Sequence, residues 1–473
     1  MTEVQDRVAR ELARLAPVVD PLGARFADAG EQIALVGGPV RDAMLGRDLY
    51  DLDFTTSAPP ERTEQLLSGW ADAVWDIGRA FGTIGARRGD WQIEITTFRT
   101  EAYDPSSRKP AVQYGDSLAG DLRRRDFTVN AMAILLPGHE FEDPYGGVVD
   151  LAHRLLRTPG RAEDSFSDDP LRMMRAARFA AQLGFEVDPD VVRAMTEMAE
   201  RITIVSAERV RDELVKLICA PYPRAGLTLM VDTGLAAYVL PELPALALER
   251  DEHHRHKDVY EHTLTVLEQA IDQEDRLGGG PDFVSRFAAL MHDVGKPRTR
   301  RFVGDGTVTF HHHDVVGAKL TRKRMQALRF SGDEIDAVAK LVELHLRFHG
   351  YGSGEWTDSA VRRYVRDAGD QLERLHILTR ADCTTRSQRK ADRLRRTYDD
   401  LEARIARLGE EEELASIRPD LDGNEIMEVL GIPPGREVGE AYRFLLELRL
   451  DHGPMSPDRA RAALLDWWRS THP

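Results

Sequence analysis

The amino-acid sequence predicts an α+β fold in which an α/β head is followed by a long helical body. Between residues 33 and 136, short apolar runs of strand length alternate with segments whose apolar residues have helical spacing. After residue 150 the apolar pattern has the helical period, so we expect no further strands there. The change of pattern near residue 150 therefore separates two structural classes within one chain.

Length and charge limit the class of protein further. A chain of 473 residues is too long for one hydrophobic core, so we expect a head with an N-terminal lead-in helix (1–150), a helical neck (151–240), a third domain (241–400) and a helical tail (401–473). The net charge of −16 argues against indiscriminate nucleic-acid binding, which cationic side chains drive, but it permits local basic surfaces. With no long apolar stretch and no signal-peptide pattern, we expect a cytoplasmic protein without membrane contact.

The head begins with a predicted helix, a strand and a glycine turn. The first 30 residues place apolar side chains at helical spacing, and residues 33–36 read IALV, which predicts a strand. The following residues 37–42 read GGPVRD. Two glycines let the backbone approach a phosphate closely, and Pro39 suits the first turn of a helix. The N-terminus of that helix would attract an anion such as a triphosphate.

The next strand carries two acidic residues. Asp51 and Asp53 are two residues apart, so a strand places both carboxylates on one face and Leu52 on the other. Adjacent carboxylates suit Mg²⁺, although such a pair on its own is more often a solvated strand end. Its position directly after a strand, glycine turn and helix predicts a metal-dependent nucleotidyl transfer site.

A further strand, residues 91–98, offers a third carboxylate. Its alternation turns Glu94 away from Ile93 and Ile95. If this strand lies beside the two aspartates, Glu94 completes the metal cluster; the alternative is an ordinary exposed strand glutamate.

Two arginines are candidates for phosphate binding. Arg41 follows the glycines and can point back toward the phosphates from the first helical turn. Arg125 lies in residues 121–131, which read DLRRRDFTVNA, just before the last predicted strand at 131–136. Arginine suits both positions because its planar guanidinium binds two phosphate oxygens at once.

Four segments, in order, carry a resemblance to a known family. They are residues 37–42 (GGPVRD), 51–54 (DLDF), 124–131 (RRDFTVNA) and 169–172 (DPLR). Together they resemble the class II tRNA nucleotidyltransferases and bacterial poly(A) polymerases. The resemblance implies a polymerase-β-like nucleotidyltransferase head with a small mixed sheet, an all-α neck, and a Mg²⁺-dependent enzyme that binds CTP, ATP and the tRNA 3′ end through residues including Gly38 and Arg41.

Two residues in the predicted neck are candidates for recognising the base of the incoming nucleotide. Asp169 and Arg172 are three residues apart at a predicted helix start that includes Asp168, where the family commonly has Glu. Aspartate accepts from the exocyclic amine of cytosine or adenine, and arginine donates to the adjacent ring nitrogen, whereas uracil and guanine present the opposite pattern. By resemblance, Arg175 and Arg178 could reach the triphosphate or support this pair. The alternative is a helix cap followed by a basic stripe.

A second group of metal-ligand residues lies downstream. In the order of an HD-domain phosphohydrolase, the sequence contains His262, His292, Asp293, His313, His345 and Asp382. We therefore expect residues 241–400 to form an HD domain whose ligands suit Mn²⁺, Ni²⁺ or Zn²⁺, so that a bound hydroxide could attack a phosphoester. A degenerate HD domain that only packs or binds RNA is the alternative.

The family resemblance, together with these residues, implies an enzyme that adds C, C and A to the tRNA 3′ end without a template. Within the family, a poly(A) polymerase is the nearest alternative, because residues 78–81 (GRAF) faintly resemble that branch, and addition of CC alone or A alone also fits. Two other classes remain: a noncatalytic RNA-binding protein with a vestigial head, and an HD phosphohydrolase whose head is a nucleotide sensor.

Overall fold

The computed structural model describes residues 2–49, 51–79, 82–102, 111–115, 117–248, 259–302, 308–350, 356–384, 388–412 and 417–472. The chain divides into two units, residues 1–241 and 242–473. Of the GRAF segment at 78–81, the last two residues lie outside the described part.

The first unit combines a sheet with helices. Its strands are β1 (Ile33–Val36), β2 (Asp51–Thr56), β3 (Ala73–Gly78), β4 (Thr83–Arg88), β5 (Trp91–Thr97), β6 (Arg99–Ala102), β7 (Ala111–Tyr114), β8 (Ala133–Leu136), β9 (Phe141–Glu142), β10 (Leu155–Leu156) and β11 (Glu186–Val187). Its helices are α1 (Thr2–Asp28), α2 (Gly38–Leu45), α3 (Pro60–Leu67), α4 (Leu118–Arg123), α5 (Gly147–His153), α6 (Ala162–Asp168), α7 (Leu171–Leu183), α8 (Pro189–Met198), α9 (Ala207–Ile218), α10 (Pro223–Asp232) and α11 (Ala236–Val239), with 3-10 turns at Thr128–Asn130 and Ala199–Ile204.

The second unit is almost entirely helical. Its helices are α12 (Glu242–Ala245), α13 (Val259–Ile271), α14 (Phe283–Met291), α15 (Lys296–Thr299), α16 (His313–Ala327), α17 (Gly332–Leu344), α18 (Asp358–Ala368), α19 (Leu372–Ala381), α20 (Gln388–Glu412), α21 (Gly423–Leu430), α22 (Arg436–His452) and α23 (Pro457–Thr471). It also contains strands β12 (Arg301–Phe302) and β13 (Val308–Thr309), and 3-10 turns at Leu246–Leu248, Glu274–Leu277, Arg347–Gly350 and Gly369–Gln371.

A seven-stranded mixed sheet organises the head. Its strand order is β3-β4-β5-β2-β1-β8-β9, in which β2 and β5 are parallel and every other pair is antiparallel. Helix α1 contacts α2, β1 and β8 and buries the stripe Leu15, Val19, Leu22 and Phe26. The predicted α+β class, the lead-in helix and the four predicted strands are confirmed.

The sequence pattern did not predict strands β3 and β4. Trp75 and Ile77 on β3 are exposed, and β4 contains Gly85 and ends in two arginines, so neither strand is a simple apolar run. A Cβ at Gly85 would lie 2.6 Å from atoms of both Trp75 and Ile77. Because residue 85 is glycine, the side chains of Trp75 and Ile77 can lie over β4. This contact exists only because β3 pairs with β4, so the sequence of either strand alone does not predict it.

The expectation of no strands beyond residue 150 is wrong for two short pairs. β10 and β11 are parallel, and β12 and β13 are antiparallel, with two residues in each strand. Such short pairs depend on a few backbone bonds, including one from the Glu186 N–H to the Arg154 carbonyl at 2.9 Å. They leave no detectable period in the sequence.

The helix expected to open at Asp168 begins later. Asp168 is instead the last residue of α6, and α7 begins at Leu171. Asp169 lies between them in an extended conformation, with φ −144° and ψ 102°. Pro170 explains this break, because proline disfavours the helical conformation in the residue before it.

The remaining helices bury their own apolar faces. Within α21–α23 and the segment before them, a core forms from Leu421, Ile426, Ala441, Leu445, Ala460 and Leu464. Among the described residues, no helix has both the length and the hydropathy that crossing a bilayer requires.

We predict that Gly295→Ala destabilises the protein, because its Cβ would lie 2.0 Å from the carbonyl oxygen of His313 and 2.7 Å from the Gly317 nitrogen. Forcing α15 away from α16 should lower the free energy of unfolding by roughly 1–3 kcal/mol. Gly439→Ala is the matched control, since no atom lies within 4 Å of its added Cβ inside α22; it should raise stability by about 0.5–1 kcal/mol. Urea unfolding followed by circular dichroism measures both changes, and equal stability of the two variants would contradict this close packing.

Candidate active site and metal cluster

Three carboxylates lie together where β2 pairs with β5. The parallel register places Asp53 opposite Glu94, and Asp51 is two residues earlier on β2. Burial raises the pKa of Asp53; Arg125 opposes this shift, and Asp51 adds to it. Burial also raises the pKa of Glu94, with further increases from Asp53 and then Asp51. The carboxylates therefore repel one another, and a divalent cation bound among them would relieve that repulsion.

The glycine turn brings a helix N-terminus to the same place. Gly37 has a φ of 74°, a conformation that side chains rarely adopt. A Cβ there would also lie 3.0 Å from Nη1 of Arg125. With glycine at this point, β1 turns directly into α2, and Pro39 lies in its first turn as predicted.

The arginine on this helix is held in one orientation. Arg41 is only 4% exposed. Its Nε and Nη2 donate to the two carboxylate oxygens of Asp42 at 2.9 and 2.8 Å, and its Nη1 donates to Oδ1 of Asn130 at 2.6 Å. A guanidinium fixed in this way is preorganised and loses little conformational freedom on meeting an anion.

A buried aspartate supports the second predicted arginine. Arg125 donates to Oδ2 of Asp121 at 3.4 Å, and Arg124 donates to Oδ1 of the same carboxylate at 2.9 and 3.0 Å. Burial opposes ionisation of Asp121, but Arg125 and Arg124 hold its pKa below the usual value. Asp121 thus acts as a buried anchor for adjacent cationic side chains.

These groups surround a cavity of about 610 Å³, a size typical of ligand-binding sites. The cavity is lined by Val36, Gly37, Gly38, Arg41, Asp53, Phe54, Glu94, Thr96, Arg99, Arg124, Arg125, Asp126, Asn130, Asp169, Leu171, Arg172, Arg175, Arg178, Phe179 and Arg209. Asp51 is exposed at the start of β2 and does not belong to this lining. All the other predicted head and neck site residues do.

Asp169 and Arg172 line the cavity, but their side chains are not paired with each other. Arg172 is buried, with Nη1 donating to Oγ of Ser165 at 3.0 Å and Nη2 to the Arg124 carbonyl at 2.5 Å. Asp169 accepts from the Leu171 N–H at 3.0 Å and from Nη2 of Arg209 at 2.8 Å. Each member of the predicted pair is thus supported separately.

Arg175 and Arg178 are engaged by buried acids. Arg175 donates to Oδ2 of Asp126 through Nε at 2.7 Å, and Arg178 donates to Oε2 of Glu213 through Nε at 2.6 Å. Burial opposes ionisation of Asp126, but Arg175 and a hydrogen bond from Asn130 hold its pKa far below the usual value. These ion pairs connect the two arginines to the wall of the cavity, and they suit a supporting role.

Several contributors to the cavity have no individual role in the sequence prediction. Arg124, Asp126 and Asn130 lie within the 124–131 segment that carries the family resemblance, whereas Arg99, Phe179 and Arg209 lie outside all four of its segments. Phe179 lies beneath three cations, with the guanidinium carbons of Arg178, Arg41 and Arg175 at 3.8, 5.3 and 5.5 Å from its ring centroid. Because Phe179 lies four residues after Arg175 on one helix, the sequence could have indicated their contact. Arg41 reaches Phe179 from a different helix, α2, so only the tertiary structure shows that contact.

The six downstream candidates lie together in the second unit. Asp293 is central: its Oδ1 lies 3.3 Å from Nε2 of His313, and its Oδ2 lies 3.2 and 3.7 Å from Nε2 of His292 and His262. Asp382 lies 3.0 Å from Nε2 of His262 and 3.5 Å from that of His292. Two sets of three potential ligand atoms within 4.8 Å of one another share Asp293: His262, His292 and Asp293, and Asp293, His313 and His345.

Backbone carbonyls orient three of the imidazoles. Nδ1 of His292, His313 and His345 lies 2.8, 2.8 and 2.6 Å from the carbonyl oxygen three residues earlier. Each Nδ1 must donate there, which leaves Nε2 as the ligand atom in a neutral ring. Within the described residues, these three buried Nε2 atoms make no hydrogen bond of acceptable geometry, although two of them lie 3.2 and 3.3 Å from oxygens of Asp293. Convergent nitrogens beside buried carboxylates fit a metal centre.

The electrostatic field at this cluster favours a positive charge. Burial would lower the pKa of His292, but Asp293 and Asp382 raise it to about 10. Burial and the neighbouring His292 instead lower the pKa of His345 to about 4, so that ring is neutral at physiological pH. Lys296 places Nζ 2.8 Å from Oδ2 of Asp293.

Comparison with protein families assigns three consecutive regions. Residues 33–157 match the family described as poly A polymerase head domain, 184–246 match the probable RNA and SrmB-binding site of polymerase A, and 259–387 match the HD domain.

Two curated relatives are similar over different lengths. An A-adding tRNA nucleotidyltransferase of Deinococcus radiodurans is 34% identical over 445 residues, which cover 93% of this chain and 96% of the relative. A CCA-adding enzyme of Streptococcus pneumoniae serotype 19F is 38% identical over 262 residues, which cover 55% of this chain and 62% of the relative.

Solved structures share the fold. The Bacillus stearothermophilus CCA-adding enzyme in complex with CTP has a TM-score of 0.68 and 24% identity, with coverage of 95% of this chain and 96% of that one. The Thermotoga maritima CCA-adding enzyme complexed with tRNA has a TM-score of 0.59 and 19% identity, with coverage of 94% and 93%.

We predict that Asp53→Asn stabilises the protein when divalent cations are absent, because it removes one of the mutually repelling carboxylates. The folded-state pKa of Asp53 is raised above 3.8. The ionised carboxylate therefore lowers the free energy of unfolding of the wild type by its full amount at pH values above that raised pKa, and this loss disappears at pH values below about 3.8. The melting temperature should therefore rise by roughly 1–3 °C at pH 7, and the difference should vanish near pH 3.5. Calorimetry with and without Mg²⁺ measures this; a variant less stable than wild type at pH 7 without Mg²⁺ would contradict the repulsion.

Proposed function

Because this chain belongs to the class II tRNA nucleotidyltransferase and poly(A) polymerase family and carries an HD domain, we propose that it adds CMP, CMP and AMP to the tRNA 3′ end from CTP and ATP, releasing pyrophosphate. Its activity is that of a tRNA nucleotidyltransferase. What carries the proposal is the carboxylate cluster on β2 and β5 beside a cavity that is lined by the glycine turn and by buried arginines.

The carboxylates would hold the metal ions of the transfer reaction. Asp51 and Asp53 are the proposed Mg²⁺ ligands, with Glu94 as the third carboxylate. Bound Mg²⁺ would activate the terminal hydroxyl of the RNA and offset charge on the departing pyrophosphate. Since positioning and charge stabilisation account for most of the catalysis in phosphoryl transfer, the reaction needs few other reactive side chains.

The arginines would position the triphosphate. Arg41 and Arg125 line the same cavity as the N-terminus of α2; Asn130 accepts from Arg41 at 2.6 Å, and buried Asp121 accepts from Arg125 at 3.4 Å. A helix N-terminus and oriented guanidiniums are the groups that bind phosphate oxygens most readily. Arg175 and Arg178 would hold the wall of the cavity in place through their ion pairs with Asp126 and Glu213.

Asp169 and Arg172 would select the base. The carboxylate accepts from N4 of cytosine or N6 of adenine, and the guanidinium donates to N3 or N1. Uracil and guanine would place an acceptor against the carboxylate and a donor against the guanidinium. The resulting unpaired groups would cost roughly 2–4 kcal/mol for each mismatched base.

A-only addition is the second candidate function. It is favoured by the full-length similarity to an A-adding enzyme, whereas the match to the CCA-adding relative covers little more than half of this chain. Because the Asp169 and Arg172 pair accepts both bases on hydrogen-bonding grounds, we propose full CCA addition.

The HD cluster would be a second, separate metal centre. Its histidine and carboxylate side chains would suit Mn²⁺, Ni²⁺ or Zn²⁺, and Asp293 belongs to both sets of candidate ligands. A metal bound there would generate hydroxide for phosphoester hydrolysis. His262, His292, Asp382 and Asp293 would hold one ion, and Asp293, His313 and His345 the other.

The test of this function uses purified protein, Mg²⁺, each labelled nucleoside triphosphate, and tRNAs ending before CCA or after CC. Addition that stops after C-C-A supports the proposal. Addition of a single A, only to the tRNA ending in CC, would identify an A-adding enzyme, long A tails would identify a poly(A) polymerase, and absence of all addition would refute the transferase function.

We predict that Asp53→Ala reduces incorporation roughly a thousandfold, because a metal ion contributes several kcal/mol of transition-state stabilisation. Asp76→Ala, which removes an exposed carboxylate from β3, is the matched control and should retain activity.

His292→Ala should leave incorporation unchanged and should abolish any Mn²⁺-dependent hydrolysis of a chromogenic phosphoester. Loss of both activities in either variant would contradict two separate centres.

We also predict that Asp169→Ala relaxes discrimination against UTP and GTP by roughly 10–100-fold, since the acceptor for the exocyclic amine is lost. Affinity for tRNA, measured by filter binding, should change much less. Asp190→Ala removes an exposed carboxylate from α8 in the same unit and should preserve selectivity. Unchanged selectivity in Asp169→Ala would remove the base-reading role.

A further inference from the structure

The carboxylate of Asp169 has two protein partners that act on different oxygens. Oδ1 accepts the Leu171 N–H at 3.0 Å, and Oδ2 accepts Nη2 of Arg209 at 2.8 Å. Each carboxylate oxygen has two lone pairs, so both bonds leave acceptor capacity for a ligand. The Leu171 bond alone fixes one oxygen; the Arg209 bond determines how the carboxylate plane is turned.

Arg209 is attached to a helix whose position relative to α7 is fixed. Its own N–H donates to the capping hydroxyl of Ser206 in the first turn of α9. One turn later, Glu213 is 5% exposed and accepts from Arg178 on α7 at 2.6 Å. This buried ion pair joins the two helices, so the base of the Arg209 side chain cannot drift away from Asp169.

The pair lies where a ligand can reach it. The side chains of Arg209 and Asp169 are 56% and 28% exposed. Both line the main cavity, and both also line a neighbouring cavity of about 380 Å³ together with Pro170 and residues 203–207. The contact is therefore part of the cavity surface and not a remote structural ion pair.

Arg172, the other proposed base-reading residue, has different support. Ser165 and the Arg124 carbonyl hold its guanidinium at 3.0 and 2.5 Å. The orientation of the Arg172 guanidinium, which would donate to the base, is thus set by α6 and the head. The orientation of the Asp169 carboxylate, which would accept from the base, is set by Arg209 on α9. A substitution in α9 can therefore disturb the acceptor alone.

We propose that Arg209 is a positioning residue for base recognition, which holds the Asp169 carboxylate in the orientation that accepts the exocyclic amine of the incoming nucleotide. This inference rests on the proposed function, because it requires Asp169 to read the base. Without Arg209, the partly exposed carboxylate can rotate toward water, and each correct nucleotide must reorder it on binding. Loss of preorganisation weakens recognition without removing the recognising group.

The test measures single-nucleotide incorporation by wild type, Arg209→Gln, Arg209→Lys and Asp169→Ala with each of the four nucleoside triphosphates. For Arg209→Gln we expect KM for the correct nucleotide to rise about tenfold, discrimination against UTP to fall about tenfold, and kcat for the correct nucleotide to stay within about twofold, as expected for loss of one charged hydrogen bond used in binding. Arg209→Lys keeps a donor and should recover part of both losses.

Arg193→Gln is the matched control. Arg193 is 53% exposed and pairs with Asp190 at 2.6 Å in the same unit, but it lines neither cavity. It should behave as wild type, and both glutamine variants should melt within about 2 °C of wild type because exposed ion pairs contribute little to stability.

The outcomes separate this inference from the function on which it rests. Wild-type protein that incorporates no nucleotide overturns both. Relaxed selectivity in Asp169→Ala together with wild-type selectivity and KM in Arg209→Gln overturns the role of Arg209 alone. A lower KM in Arg209→Gln would mean that Arg209 competes with the base, and it would also overturn the inference.

Discussion

Parallel pairing of β2 with β5 places Asp53 directly beside Glu94. The repulsion between these two carboxylates is the constraint on which the candidate site in the head depends. Backbone hydrogen bonds fix the strands, so the carboxylates cannot separate, and burial increases the penalty. The glycine turn and Arg41 bring positive charge to the same cavity. Such a cluster costs folding free energy, and strain of this kind is usual where side chains are arranged for function.

Buried acids hold the cationic wall of the cavity. Asp121, Asp126 and Glu213 are each no more than 6% exposed, and each contacts arginines that line the cavity. A buried carboxylate of this kind costs desolvation free energy, but it fixes the position of a long and flexible cation. This arrangement explains how a chain with a net charge of −16 can present a basic surface at one place.

Helix ends orient histidines of the cluster in the second unit. His292 and His345 directly follow α14 and α17, and each Nδ1 bonds to a carbonyl in the last helical turn. Those carbonyls lack helical partners, so the imidazoles satisfy them while turning Nε2 inward. The directions of these two Nε2 atoms therefore follow from where the helices stop, and the central Asp293 lies next to one of those ends.

The sequence alone determined the elements and residue types of both sites. The glycine turn and the alternation of Asp51 and Asp53 are local patterns, so turn chemistry and periodicity were sufficient to predict them. Only the tertiary structure decided which strand lies beside β2, that β3 and β4 extend the sheet, and that Arg209 contacts Asp169 across 40 residues of sequence. These contacts depend on how separate elements pack, and packing leaves no period in the chain.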